Sequence, residues 1–361
     1  MANTIQHKRG TAAEWTAADP TLAAGQVGVE TDTGKFKVGD GSTAWSALGY
    51  FEAAAAVAAW SYGGENYGYA MGGYDGSTYA SYNSIQKYSF TSDGSGTVSP
   101  ISLHTSVSAG AGSQSSESGY FSGSIGSTGG WDLSIVNIQK FPFAEDVNGT
   151  DVGDLATPRG ASAGNSSQTN GYMSGGFRQN PGVGYNNQIE KFPFAADGNA
   201  TSVGTLLTTL NWMSGQSSSE YGYVSAGTSP DAPNSNVIQK FAFAADENAA
   251  DVGDLTLGRP YVAGGSSSTH GYVAGGNPVT NVIDKFSFSA DENATDVGDL
   301  AFADKELTGA SSTTNGYATG GAYIPAGYGN TIHKYSFTSD GNGTDIGDLA
   351  QRLRYSVGTN N

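Results

Sequence analysis

From about Trp60 onward the chain alternates apolar and polar residues in short runs, separated by clusters of glycine, serine, asparagine and aspartate. That is the signature of strands and turns. One copy of the pattern opens with Gly271-Tyr272-Val273-Ala274-Gly275-Gly276 and continues through Asn281-Val282-Ile283-Asp284-Lys285-Phe286-Ser287-Phe288. It closes with Asp291 to Leu300. Aligned on the lysine before the aromatic, six copies appear at Lys87, Lys140, Lys191, Lys240, Lys285 and Lys334, in steps of 53, 51, 49, 45 and 49 residues. Repeats of this length with four short strands each are propeller blades. In the third copy the expected strands are 161–164, 171–176, 188–194 and 200–206, with a polar turn at 166–170. Period-two alternation puts Phe192 and Phe194 on one face of the third strand and Ile189 and Lys191 on the other, so both faces press on neighbouring blades. The tail Arg354 to Asn361 copies a first strand with nothing after it. It is expected to close the ring beside Gly68 to Gly73.

Residues 1–52 stand outside the repeat. Gln26 to Glu30 and Lys35 to Asp40 flank Thr31-Asp32-Thr33-Gly34 as a β-hairpin, with Trp15, Leu22, Trp45 and Leu48 as apolar anchors. So short a segment buries little surface alone, and self-association is a common remedy. Ala53 to Ala59 is alanine-rich but too short to stand as an isolated helix, and is read as a connector. The organisation expected is a domain at 1–52, a connector at 53–59 and a propeller at 60–361.

The runs Ile5 to Trp15 and Leu22 to Gly41, with their ordered Arg-Gly-Thr, Gly-Val-Glu-Thr-Asp-Thr-Gly and Gly-Asp-Gly elements, resemble the N-terminal domain of phage tail-fibre and receptor-binding proteins of the major tropism determinant family. The resemblance implies a homotrimer that docks this end onto other virion structural proteins. The double glycine ending the second strand, the spaced aromatics of the third, and the arginines of Pro158-Arg159 and Arg259-Pro260 resemble a Kelch propeller. Here the fourth strand carries valine and leucine where Kelch repeats usually have tryptophan, and Ser124 and Ala226 replace one glycine of the pair. The fold class expected is therefore all-β: a six-bladed Kelch-like β-propeller after a small, hairpin-containing attachment domain.

Composition narrows the function. There are 54 glycines, charged residues make up only 14% of the chain, and the net charge is -17. Strand-and-turn proteins look like this, and so acidic a surface repels a phosphate backbone, which excludes nucleic acid as a partner. The chain has no cysteine, hence neither disulfides nor thiolate metal sites. No secretory leader and no apolar stretch long enough to cross a bilayer is evident, so no membrane insertion is expected and export would require a separate system or a virion.

Candidate chemistry is sparse. His7, His104, His270 and His333 are isolated, no carboxylate pair is marked by a motif, and the sialidase-type aspartate box is absent; no enzyme activity and no cofactor is expected. The acidic stretches containing Asp246, Asn248 and Asp251, and Asp291, Asn293 and Asp296, offer hard oxygens to calcium, but they lack a bidentate glutamate and are better explained as turns. The six lysines are expected to run their stems through blade interfaces toward the repeated aspartates. The loops between second and third strands vary more, at 9, 11, 10, 8, 4 and 8 residues. They carry Tyr74, Tyr79, Tyr82, Trp131, Phe177, Arg178, Tyr185, Tyr323 and Tyr328, and blade geometry puts the loops bearing Arg159, Arg259 and Arg354 on the same face. Aromatic rings among polar groups suit sugar recognition. The expectation is a virion-surface adhesin, on a tail fibre or the capsid exterior, recognising host surface glycan; a decoration protein without a receptor is the rival, and a polysaccharide-trimming enzyme comes third.

Overall fold

The computed structural model describes residues 7–50, 63–75, 80–127, 130–179, 182–322 and 329–361. The chain divides into two compact units, Met1–Ala59 and Trp60–Asn361. The connector at 53–59 lies outside the described residues.

In the first unit the expected hairpin forms, with Val27–Glu30 antiparallel to Phe36–Val38; Lys8–Gly10 then adds to Val27–Glu30 in parallel. A helix at Ala12–Ala18, not anticipated from the alternation, separates the parallel strands. Its signal is Thr11-x-x-Glu14: Glu14 N donates to Thr11 Oγ1 at 3.3 Å while Thr11 N donates to Glu14 Oε2 at 2.8 Å, a capping box that fixes the first turn. The helix turns Trp15 inward to stack on Trp45 at 4.2 Å, with Leu22 beside them. Lys37, buried here, donates to Trp45 O at 2.8 Å. Leu48 is only half-buried.

Among the described residues the second unit has six antiparallel blades, five of them four-stranded sheets and the first a sheet of five strands, with a further two-stranded hairpin at Phe177–Arg178 and Gly184–Tyr185. The third is representative: Ala163–Ser166, Asn170–Ser174, Gln188–Pro193 and Thr201–Thr205, paired in that order from the axis outward. The first blade is completed by Val357–Asn360, which pairs antiparallel with Tyr67–Met71, Asn360 opposite Gly68 and Val357 opposite Met71. The ring thus closes as expected. The innermost strand of the third blade begins two residues later than expected, because Ala161 adopts a left-handed φ of 53° and Ser166, read as turn, donates its N–H to Ser217 Oγ in the next blade. The second strand stops at Ser174, since Gly175 and Gly176 take φ of 62° and 111°. Where Ala226 stands in for the first glycine it takes the same conformation, φ 69°.

Blade joins Blade through four repeated devices. The second-strand tyrosine of each blade lies on the phenylalanine just after the next blade's third strand: Tyr120 on Phe194, Tyr172 on Phe243, Tyr223 on Phe288, Tyr272 on Phe337 and Tyr317 on Phe90 at 4.5–4.9 Å, and Tyr69 on Phe143 at 5.2 Å. Each such stack is worth about 0.5–1.5 kcal/mol beyond its buried area. Five of the six lysines meet the aspartate of the following blade: Lys140–Asp197, Lys191–Asp246, Lys240–Asp291, Lys285–Asp340 and Lys334–Asp93. Lys87 instead lies over the Tyr67 ring at 3.7 Å. The repeated asparagines also reach across: Asn148, Asn199, Asn248, Asn293 and Asn342 accept from backbone N–H groups of the preceding blade's fourth strand. Finally, a ring of N–H donations links the ends of the innermost strands, through Gln114, Ser166, Ser217, Ser266, Ser311 and Asn360.

These innermost strands touch at glycine. A Cβ on Gly112, Gly164, Gly215, Gly264, Gly309 or Gly358 would come within 1.8–2.7 Å of the carbonyl oxygen of its counterpart in the preceding blade. The bore that remains is small, about 110 Å³.

Candidate functional site

Strand order decides which loops share a face. Each innermost strand runs away from the turn before it, so the loops from second to third strand and from fourth strand to the next blade emerge together, opposite the other two sets. At the centre of this face stand six residues, each three positions before the axial glycine of its blade: Tyr355, Ala109, Ala161, Trp212, Tyr261 and Glu306. All six have left-handed φ, between 53° and 65°. Successive backbone donations tie them into a crown, Ala109 N to Tyr355 O, Ala161 N to Ala109 O, Trp212 N to Ala161 O, Tyr261 N to Trp212 O and Glu306 N to Tyr261 O, at 2.6–3.0 Å. Left-handed backbone is unfavourable for any residue with a Cβ, by about 1–2 kcal/mol, and such conformations concentrate at functional sites.

The crown backbone repeats; its side chains do not. Trp212 reaches across the axis to Tyr355, ring centres 4.6 Å apart, and lies 4.9 Å from Tyr261. Ala109 and Ala161 leave the opposite side low. Buried Glu306 pairs with Arg354 at 3.3 Å and with Lys305 at 3.8 Å. Burial and the neighbouring Glu306 carboxylate push the Tyr355 hydroxyl well above its ordinary range, so it remains a proton donor. Beside the crown runs a groove of about 480 Å³ over the third and fourth blades, walled by Ile125, Phe177, Gln179, Tyr185, Asn211, Trp212, Thr228, Ser229, Pro230 and Tyr261.

The sequence-derived candidates fall into several groups. Phe177 and Tyr185, 5.2 Å apart on a two-residue hairpin that also carries Arg178, form the outer wall of the groove. The Arg178 Nε donates to Gly182 O at 3.2 Å, within its own loop. Arg354 and Tyr74 meet at the crown, the guanidinium lying 4.8 Å from the Tyr74 ring and 5.1 Å from that of Tyr355. Tyr74 itself is buried, and Tyr82 is half-buried on the third strand of the first blade. Trp131 has its backbone in the strand Gly130–Pro142, and its side chain lies outside the description. Tyr79, Tyr323 and Tyr328 lie outside the described residues.

Arg159 and Arg259 must be withdrawn from the face. Both are fully buried, Arg159 paired with Glu190 and Arg259 with Asp284 at 2.8 Å, and Arg259 also donates to Gly275 O and Val273 O. They stand five residues before the axial glycine, where the chain points into the blade interface; Arg354 stands four before, and points out. The acidic repeats are likewise engaged. Asp246 and Asp291 hold lysines, Asn248 and Asn293 bridge blades, and Asp251 and Asp296 accept from the N–H two residues on. Among the described residues no group of three or more His, Asp or Glu side chains is arranged to hold a metal ion.

Trp212, Tyr261, Glu306 and Tyr355 were not anticipated. Their signal is present in the sequence: in a frame where the axial glycine never changes, the third residue before it reads Tyr, Ala, Ala, Trp, Tyr and Glu. Comparing loop lengths passes over a position that varies without any change in length.

These features define a Kelch-like β-propeller with a small separate N-terminal unit. Residues 5–43 match the family model of the major tropism determinant N-terminal domain. That likeness points to a phage tropism or receptor-binding protein at the surface of a virion. The solved structure described as the structure of YjhT is similar in fold, at 14% identity and a TM-score of 0.53, over 70% of this chain and 86% of that one. No curated protein matches the chain.

Proposed function

We propose that this is a virion-borne adhesion protein that recognises host surface glycan through the crowned face of its propeller, with the N-terminal unit as trimerisation and virion-attachment module. The observation that carries this reading is the contrast at the crown: six identical backbone positions, held by one another independently of side chain, bear three aromatics, two alanines and a glutamate. A purely architectural role would leave that position as regular as the axial glycines. Binding of the full chain to host cells, lost in Trp212→Ala and Tyr185→Ala variants of unchanged melting temperature, is the expected result; a protein that decorates particles but binds no cell would overturn it. Three chains per particle in native mass measurement would support the attachment module.

One observation favours a hydrolytic reading. Burial raises the Asp304 carboxyl to about 7, and its Oδ2 has no hydrogen-bond partner. Yet Asp304 is fully buried and its Oδ1 accepts from Lys305 N and Ala322 N at 2.7 and 3.0 Å, so it tethers the loop after the sixth blade's second strand. Release of reducing ends from host polysaccharide, abolished by Asp304→Asn, would restore the enzyme reading.

A further inference from the structure

We infer that the groove between crown and hairpin binds an uncharged oligosaccharide of at least two pyranose units, running off-axis over the third and fourth blades. The inference rests on the adhesion reading and makes it specific. Although the chain carries 33 acidic and 16 basic residues, the described groove wall has no charged side chain. What it offers instead is a pairing of aromatic faces with small hydrogen-bonding groups. Trp212 and Tyr261 of the crown and Phe177 and Tyr185 of the hairpin supply the rings, and Gln179, Asn211, Thr228 and Ser229 line the groove with them. Aromatic faces pack on the apolar C–H face of a pyranose while amides and hydroxyls meet its hydroxyls.

Two further observations support this. Asn211 is only 6% exposed, and its Oδ1 has no hydrogen-bond partner. A buried acceptor left unpaired is unfavourable, and Asn211 is one of the residues lining the groove. The nearby cations are also committed. Arg354 and Lys305 lie against Glu306, and the Arg178 Nε against its own loop. Since the net charge of -17 opposes approach of an anion, sialylated and uronate-rich chains are disfavoured. With aromatic rings from both crown and hairpin and a volume of about 480 Å³, the groove suits a disaccharide better than a single ring.

The test is a glycan array probed with the full-length protein, followed by titration calorimetry with chitobiose and lactose as neutral disaccharides, and with sialyllactose and a diuronate as acidic ones. Binding confined to neutral glycans of two or more units is expected, weakened at least tenfold by Trp212→Ala and by Tyr185→Ala and largely restored by Trp212→Phe. Tyr185→Ala should affect a disaccharide more than its monosaccharide. Preference for acidic glycans, or neutral binding indifferent to both substitutions, would overturn the inference. Adhesion to cells with no glycan bound on the array would overturn it while leaving the adhesion reading intact; loss of both would remove the adhesion reading as well.

Discussion

At the residue scale, the position before each blade's lysine shows how one site in the frame is met by different chemistry. Gln86 and Gln239 each accept from a backbone N–H just after the preceding blade's fourth strand, and Gln139 from one within it, Thr105 N, at 2.7–2.9 Å; Glu190 and Asp284 do related work while pairing with arginine. His333 is the exception. It is fully buried, neither ring nitrogen has a partner, and it packs edge-on against Phe302 at 4.6 Å. Burial lowers its pKa from 6.5 to about 4, partly offset by Asp345. The folded state therefore binds fewer protons than the unfolded between those values, and stability present above pH 6.5 is lost as pH falls toward 4, by on the order of 3 kcal/mol. Asp304 acts in the opposite sense, its carboxyl raised to about 7 from 3.8, so that its contribution is complete below pH 3.8 and is lost as pH rises through 7. The difference between the wild type and His333→Gln isolates the histidine. That variant should be the more acid-resistant in urea titrations at pH 5 and 4, and Asp304→Asn the more stable at pH 8; parallel curves would refute both.

The buried ion pairs are a second case at this scale. Arg259 and Asp284 occupy the places held by Leu210 and Gln239 in the fourth blade and by Leu353 and Gln86 in the first. Removing one partner strands a buried charge at a cost of about 3–5 kcal/mol, whereas an apolar replacement of both is often neutral. Arg259→Leu alone should thus destabilise by about that amount in urea denaturation. The double variant Arg259→Leu with Asp284→Gln should return to within about 1 kcal/mol of wild type.

At the element scale, strand existence was readable because alternation and turn chemistry repeat six times; strand limits were less so. The innermost strand of the third blade shifted by two residues because its start is set by a left-handed Ala161 and its end by a hydroxyl in the next blade. Neither partner is local in sequence. The helix at Ala12–Ala18 was missed although Thr11 and Glu14 mark its start, since alternation in the flanking segments drew the reading toward strand. Closure by Val357–Asn360 makes a direct prediction. Without Tyr355 to Asn361 the first blade lacks its innermost strand, and the sixth and second blades lose the neighbour that accepts from Ser311 N and donates to Gln114. The truncated chain should lose cooperative unfolding, with a melting temperature lower by 10 °C or more; an unchanged melting curve would refute the closure. Gly309→Ala, whose Cβ would meet Gly264 O at 2.0 Å, should destabilise by roughly 1–3 kcal/mol without removing any strand.

At the scale of the whole molecule, every blade of the propeller unit shares stacks and hydrogen bonds with both neighbours. The described propeller should therefore unfold as one calorimetric transition, not blade by blade, although blades resemble the repeats of an open array. The lysine–aspartate bridges contribute little to this. The aspartates are more than half exposed, and such pairs are worth about 0–1 kcal/mol each. Their regularity nevertheless explains why lysine and aspartate recur in register, which in the sequence alone could pass for a ligand motif.

Repeat number, blade composition, ring closure and the likeness of residues 5–43 to a phage attachment domain were all determined by the sequence, because each is written as local chemistry at a constant period or in an ordered motif. The recognition surface was decided only in three dimensions. Trp212, Tyr261, Glu306 and Tyr355 are about 50 residues apart in the chain, and they meet because the glycines at the axis let six strands converge. The same convergence buries Arg159 and Arg259, one position away in register from the partly exposed Arg354 of the first blade.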